Sequence, residues 1–195
     1  MNSPTNTSQI NLRVATHADR NAITDFFYQI GDELGLSTRR AAQKITDVVF
    51  ENGGAIVVHK NEAMIAALGY FLGEPSRKFA NKEVGFIYVT AIKKAHRLTF
   101  TGWRGMVFAM QHLRTLGVRE IRCHARQTDP YTNRLYAHFA KPIGEDVSLR
   151  GDPTILYGNT IENVLAYIER VQARGARRVA RTNTIEPSKP TRRKG

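Results

Sequence analysis

Nine consecutive residues, Val84-Gly-Phe-Ile-Tyr-Val-Thr-Ala-Ile92, are apolar at nearly every position. A strand with one wet face alternates apolar and polar side chains. A strand without that alternation has both faces covered, as in the interior of a sheet that carries layers on each side. The run is far shorter than the roughly 20 residues of a membrane helix, and no other apolar run approaches that length. A chain built around such a strand has to place it centrally and bury both of its faces.

The flanking segments supply those layers. Residues 10–15 alternate as a half-buried strand should. Thr16-His-Ala-Asp19 matches a helix start in which a hydroxyl and a carboxylate satisfy free backbone donors. The helix it opens carries Ile23, Phe26, Phe27 and Ile30 on one face, and Gly31 and Gly35 weaken its continuation. A second helix from Ser37 carries Ala41, Ile45, Val48 and Val49 and ends at Asn52-Gly53-Gly54. Residues 55–59 and 64–72 read as an antiparallel hairpin turning at Asn61-Glu62. After the central strand and the basic loop 93–101, a helix over 102–116 is stopped by Gly117. A strand at 118–124, a short helix opened by Asp129-Pro130, strands near 147–149 and 154–157, and a helix over 160–172 complete the order. That order is β-α-α-β-β-β-α-β-α-β-β-α, a mixed α/β domain over residues 9–172.

Composition fits one such domain. The chain has 195 residues, 42% of them apolar, and a chain of this size buries about 70% of its unfolded surface. Wholesale disorder and collagen-like repetition are excluded. Cys123 is the single cysteine, which excludes an intramolecular disulfide and a cysteine-cluster metal site. Six histidines are scattered without ligand spacing, so no metal is expected. Residues 1–8 are polar and uncharged and are expected to be a flexible N-terminus rather than a signal peptide. The expectation is a cytoplasmic protein with no membrane partner.

The charge is uneven. The chain carries 29 Lys+Arg against 17 Asp+Glu, a formal +12. From Arg170 onward nine basic residues face only Glu186, so most of the excess lies there. Residues 173–195 read as a basic, disordered tail. Arg177, Arg178, Arg181, Lys189, Arg192, Arg193 and Lys194 are its candidate contacts with nucleic acid or an acidic partner. The apolar stripe at 161–171 packs either within the chain or across a homodimer.

The junction of central strand, basic loop and following helix is where an α/β fold binds ligands, because free backbone N–H groups at a helix start suit a pyrophosphate. Around it the chain resembles the GNAT superfamily of N-acetyltransferases. Leu12-Arg13-Val-Ala-Thr16-His-Ala-Asp19 is similar to the family's first strand and helix start. The segment 84–116 resembles its acetyl-CoA motif, whose loop reads Arg/Gln-x-x-Gly-x-Gly/Ala. Arg97 and Gly102 match its ends, and Phe100 replaces the first glycine. Asp129-x6-Tyr136 is similar to the family's Asn-x6-Tyr, and Ala140-Lys141 stands where the family has Gly-Phe.

The resemblance implies a single GNAT-like domain with a central, mostly antiparallel twisted sheet flanked by helices. It implies acetyl transfer from acetyl-CoA to an amine acceptor. Thr90, Ala91 and Ile92 would be the splayed strand end that bonds the pantetheine arm. Arg97, Leu98, Thr99, Phe100, Thr101, Gly102 and Trp103 would surround the pyrophosphate, with Asp129 and Asn133 also on the cofactor side. Tyr136 would protonate the departing thiolate. Glu83, His124 and His96 are candidates for the base. The other reading is an acetyltransferase-like module without catalysis that binds nucleic acid or an acidic partner through its basic arm.

Overall fold

The computed structural model describes residues 9–97, 100–148 and 151–183, with the side chains of 100–101 and 176–183 outside that description. Leu98, Thr99 and the tail beyond Asn183, with Lys189, Arg192, Arg193 and Lys194, lie outside the described residues.

Among the described residues seven strands form one open sheet in the order β1-β2-β3-β4-β5-β7-β6. They are β1 (Ile10–Val14), β2 (Gly53–Lys60), β3 (Ala63–Leu72), β4 (Val84–Ile92), β5 (Glu120–Arg126), β6 (Lys141–Val147) and β7 (Pro153–Thr160). Every neighbouring pair is antiparallel except β4 and β5. Among the described residues six α-helices accompany them: α1 (Arg20–Gln29), α2 (Gly31–Leu34), α3 (Arg39–Asn52), α4 (Phe100–Thr115), α5 (Pro130–Ala137) and α6 (Ile161–Asn183).

Both faces of the central strand are covered, as its composition requires. On one face Ile23, Phe27, Ile45 and Val49 of α1 and α3 pack against Val57, Phe71, Phe86, Val89 and Ala91. On the other, Met110 and Leu113 of α4 and Ile161, Val164 and Ile168 of α6 pack against Ile87, Ile121 and Cys123. The apolar stripe of the last helix is thus buried within the chain.

Local signals are realised with small shifts. The Thr16 amide and hydroxyl both donate to the Asp19 carboxylate, which also takes two hydrogen bonds of 2.7 Å from Arg13. Thr38, one residue after the expected start, caps α3 by accepting from the Ala41 amide. α3 ends at Asn52 with Gly53 as its C-cap, as expected, and Gly53 and Gly54 also open β2. β6 runs over 141–147 instead of 147–149; it is the sheet's edge, where Pro142 costs no ladder bond. The helix expected to end near 172 continues to Asn183, so residues 173–183 are helical rather than disordered.

One feature of β4 is absent from its hydropathy. The pairing with β3 runs Gly69↔Val89 and then Tyr70↔Ile87, leaving Tyr88 as an extra residue in a bulge. A bulge inverts the facing of every later side chain. Strict alternation would group Ala91 with Ile87; instead Ala91 joins Phe86 and Val89 on the α1/α3 face. Gly69 sits opposite the bulge. A Cβ there would meet Val49 Cγ2 at 2.8 Å and Val89 Cγ1 at 2.9 Å. Gly69→Ala should therefore lower unfolding stability by about 1–3 kcal/mol. Gly144→Ala, with nothing within 4 Å, should be near neutral. Urea unfolding of the two variants checks the contrast.

Candidate active site

β4 and β5 pair over only four residues, from Val84↔Glu120 to Ile87↔Cys123. Beyond that point each is held by its other neighbour. β4 stays paired to β3 as far as Ile92, and β5 stays paired to β7 as far as Arg126. The two carboxyl ends therefore diverge, and their facing edges are left without a strand partner. Thr90, Ala91 and Ile92 lie on the diverging arm. A cavity of about 220 Å³ opens beside it, with Leu34, Ile45, Phe86, Tyr88, Val89 and Thr90 on one side and His124, Arg126, Tyr136, Ser148, Asp152 and Thr154 on the other.

His124 and Tyr136, two of the four sequence candidates for catalysis, thus face one cavity. His124 is placed by the alternation of β5, which sends Ile121, Cys123 and Ala125 into the α4/α6 core. Its imidazole stands edge-on to Phe86, 4.7 Å between centroids, and its Nε2 lies 3.2 Å from Asp146 Oδ2. Burial lowers the imidazole pKa, and Asp146 and then Glu74 pull the other way. Asp146 is itself held ionised. Burial would raise its pKa, but hydrogen bonds from the Val147 amide and Ser76 and the nearness of His124 overcome this.

Tyr136 lies near the end of α5, its ring edge-on to Phe139 and Tyr157. Burial pushes its hydroxyl well above the usual tyrosine range, with smaller contributions from Cys123 and Asp129. Cys123 is buried and its thiol is pushed up to about 12, so it is no nucleophile.

Other sequence candidates have different surroundings. Glu83 precedes β4 at the end opposite the divergence; its carboxylate is exposed and lies 3.6 Å from Arg119. Asp129 is the N-cap of α5, accepting from the Tyr131 and Thr132 amides and the Thr132 hydroxyl. Asn133 donates to the Arg126 and Asp129 carbonyls and accepts from the Tyr157 hydroxyl. Both are occupied in building α5. Trp103 packs near Tyr167 of α6, 6.3 Å between centroids. Arg97 donates to the Ile92 carbonyl at 3.0 Å and pairs with Glu33 of α2, fastening that helix to the strand end. Phe100 and Thr101 open α4, and their side chains are outside the described residues.

His96 and Gly102 border a second, smaller opening of about 50 Å³. It is lined by Ile56, Val58, Ile65, Leu68, Ile92 and Met106 among others, so it is almost wholly apolar. Among the described residues, a Cβ on Gly102 would meet nothing closer than the His96 carbonyl at 4.0 Å. Among the described residues no cluster of metal-ligating side chains occurs, and no helix is long and apolar enough to cross a membrane.

Sequence reading alone misses Asp146, Ser76 and the Arg126–Asp152 pair at 3.3 Å. Residues 141–147 carry no apolar period that could have flagged Asp146. Ser76 carries no local signal.

No protein-family model matches the chain, and no curated protein matches it. Solved structures do. A protein from Desulfovibrio desulfuricans assigned as a GNAT-family acetyltransferase is 15% identical, with a TM-score of 0.61 over 78% of this chain and 99% of that one. A GNAT-family acetyltransferase from Streptococcus pneumoniae gives 14%, 0.57, 78% and 99%. RimL, a ribosomal L7/L12 alpha-N-protein acetyltransferase in complex with coenzyme A, gives 14%, 0.58, 82% and 98%. The chain has the GNAT fold, with its seven-stranded, mostly antiparallel open sheet.

The environment of His124 sets a signed expectation. Its pKa should lie below 6.5, and Asp146→Asn, which removes an upward influence, should lower it further. Titration of the imidazole carbon-bound protons by NMR measures both values; a rise in the variant would contradict the assignment.

Proposed function

We propose that the protein is an N-acetyltransferase that moves an acetyl group from acetyl-CoA to an amine. The observation that carries this reading is the divergence of β4 and β5 into a cavity faced by both His124 and Tyr136. Unpaired strand edges offer backbone donors to an extended amide-bearing arm and to a thioester carbonyl. Gly102, which has no Cβ and no described neighbour within 4.0 Å other than the His96 carbonyl, suits the backbone approach that a pyrophosphate needs at the start of α4. The residues present therefore fit the cofactor, which supplies an acetyl group activated as a thioester. Arg97 supports this end of the site by holding α2 to Ile92.

The chain's own groups then have distinct tasks. The amine must be neutral to attack. His124, neutral because burial lowers its pKa, accepts a proton from it, directly or through a water, and Asp146 steadies the resulting imidazolium. Tyr136 keeps its proton because its pKa is raised, so it has one to give to the leaving thiolate. The inert Cys123 favours direct transfer over an acyl-cysteine route. The acceptor is an amine of unspecified class.

Acetyl-CoA should bind the purified protein in isothermal titration; no heat at millimolar cofactor would remove the proposal. Tyr136→Phe should lower turnover by about 10²-fold or more with cofactor affinity unchanged. The rate should fall on the acid side with an apparent pKa below 6.5, because only neutral His124 accepts a proton. That acid limb should disappear in His124→Gln.

A further inference from the structure

Helix α6 continues beyond its last described core residues. Ile161, Val164 and Ile168 are buried, Val171 is half-buried, and the helix then continues to Asn183, about three further turns. From residue 170 to the helix end the sequence places Arg170, Arg174, Arg177, Arg178 and Arg181. At about 100° per residue these five helix positions fall within an arc of about 100°, and they span about 16 Å along the axis. The buried positions lie on the other side of the same helix. No Asp or Glu occurs between Glu169 and Glu186. Arg170 and Arg174 are exposed, and no described ion pair includes either.

Like charges three and four residues apart on one helix repel, so such a row destabilises the helix that carries it. A polyanion reverses the sign of that effect. All five cations are arginine, whose planar fork bonds phosphate through two N–H groups at once. We propose that this face of α6 is a docking surface for duplex DNA, held through backbone phosphates without reading bases. Arginine positions that succeed one another along one side of a helix match a linear polyanion that carries one charge per about 1.7 Å. A helix about 10–12 Å across also fits a B-form major groove about 12 Å wide, whereas the A-form major groove is too narrow. The surface belongs to the α4/α6 side of the sheet, whereas Phe86 and His124 belong to the other. DNA binding and acetyl transfer can therefore fail separately.

The test is fluorescence anisotropy of the full chain with a labelled duplex of about 20 base pairs over a salt series. Five phosphate contacts predict a log–log salt slope of about −4 to −5. Replacing all five arginines by glutamine should reduce the steepness by about 4 units, with acetyl-CoA binding retained as the check on folding. Gly175→Pro keeps every charge but interrupts the helix, and it should weaken binding. Replacing Lys189, Arg192, Arg193 and Lys194 by glutamine should leave most of the slope. Equal loss in that tail variant, or unchanged binding by the five-arginine or Gly175→Pro variant, would overturn the assignment to this face. Double-stranded RNA or polyglutamate binding as tightly as DNA at equal salt would overturn the choice of partner.

Discussion

Strand β4 has two edges and satisfies them unequally, and the rest of the molecule depends on this. It stays bonded to β3 along its whole length but to β5 for only four residues. The extra residue at Tyr88 makes this workable, because a bulge adds local twist and lets a strand leave one neighbour without abandoning the other. The same residue reverses the facing of the strand's last positions, which puts Val89 and Ala91 under α3 with Phe86. One irregularity thus completes the apolar core on one face and opens the cavity at the strand's end. β5 cannot close the gap, because β7 holds it from Glu120 to Arg126.

The polar face of β5 is the second organising element. Glu120, Arg122, His124 and Arg126 alternate with residues committed to the core. Arg122 joins Glu120 and the buried Glu74, whose segment begins where β3 ends. Two residues later Ser76 reaches Asp146, and Asp146 holds His124. The loop after β3, the edge strand β6 and the imidazole are thus connected through charge and hydrogen bonds rather than packing. Removing Arg122 would leave the buried Glu74 carboxylate with the exposed Arg77, at 3.3 Å, as its remaining charged partner.

Much of this architecture is legible in the sequence. Val84–Ile92 announces a covered central strand, Thr16 and Asp19 their helix start, and Asp129-Pro130 the cap of α5. These signals are local: each residue acts on backbone within a turn of itself. The two that mislead are not. Regular alternation through β4 fails at a bulge that depends on Gly69 of another strand, which allows Val49 and Val89 to close in. β6 is hard to place because an edge strand with exposed side chains has no apolar period to read. Tyr136 and His124 are found by type and position, but their shared cavity and the support of Asp146 come from segments far apart in the chain. Arg97 reads as a loop cation, and its pairing with Glu33 crosses 64 positions.

The burial of Cys123 has a practical side. It is the only thiol in the chain, enclosed in the core, with its proton held to about pH 12. Disulfide exchange and alkylation both require a thiolate that can be reached. The folded protein is therefore silent toward thiol reagents. If coenzyme A is released in its presence, a chromogenic disulfide will report that thiol alone, without a contribution from the folded protein, and any colour from the protein itself will register unfolding.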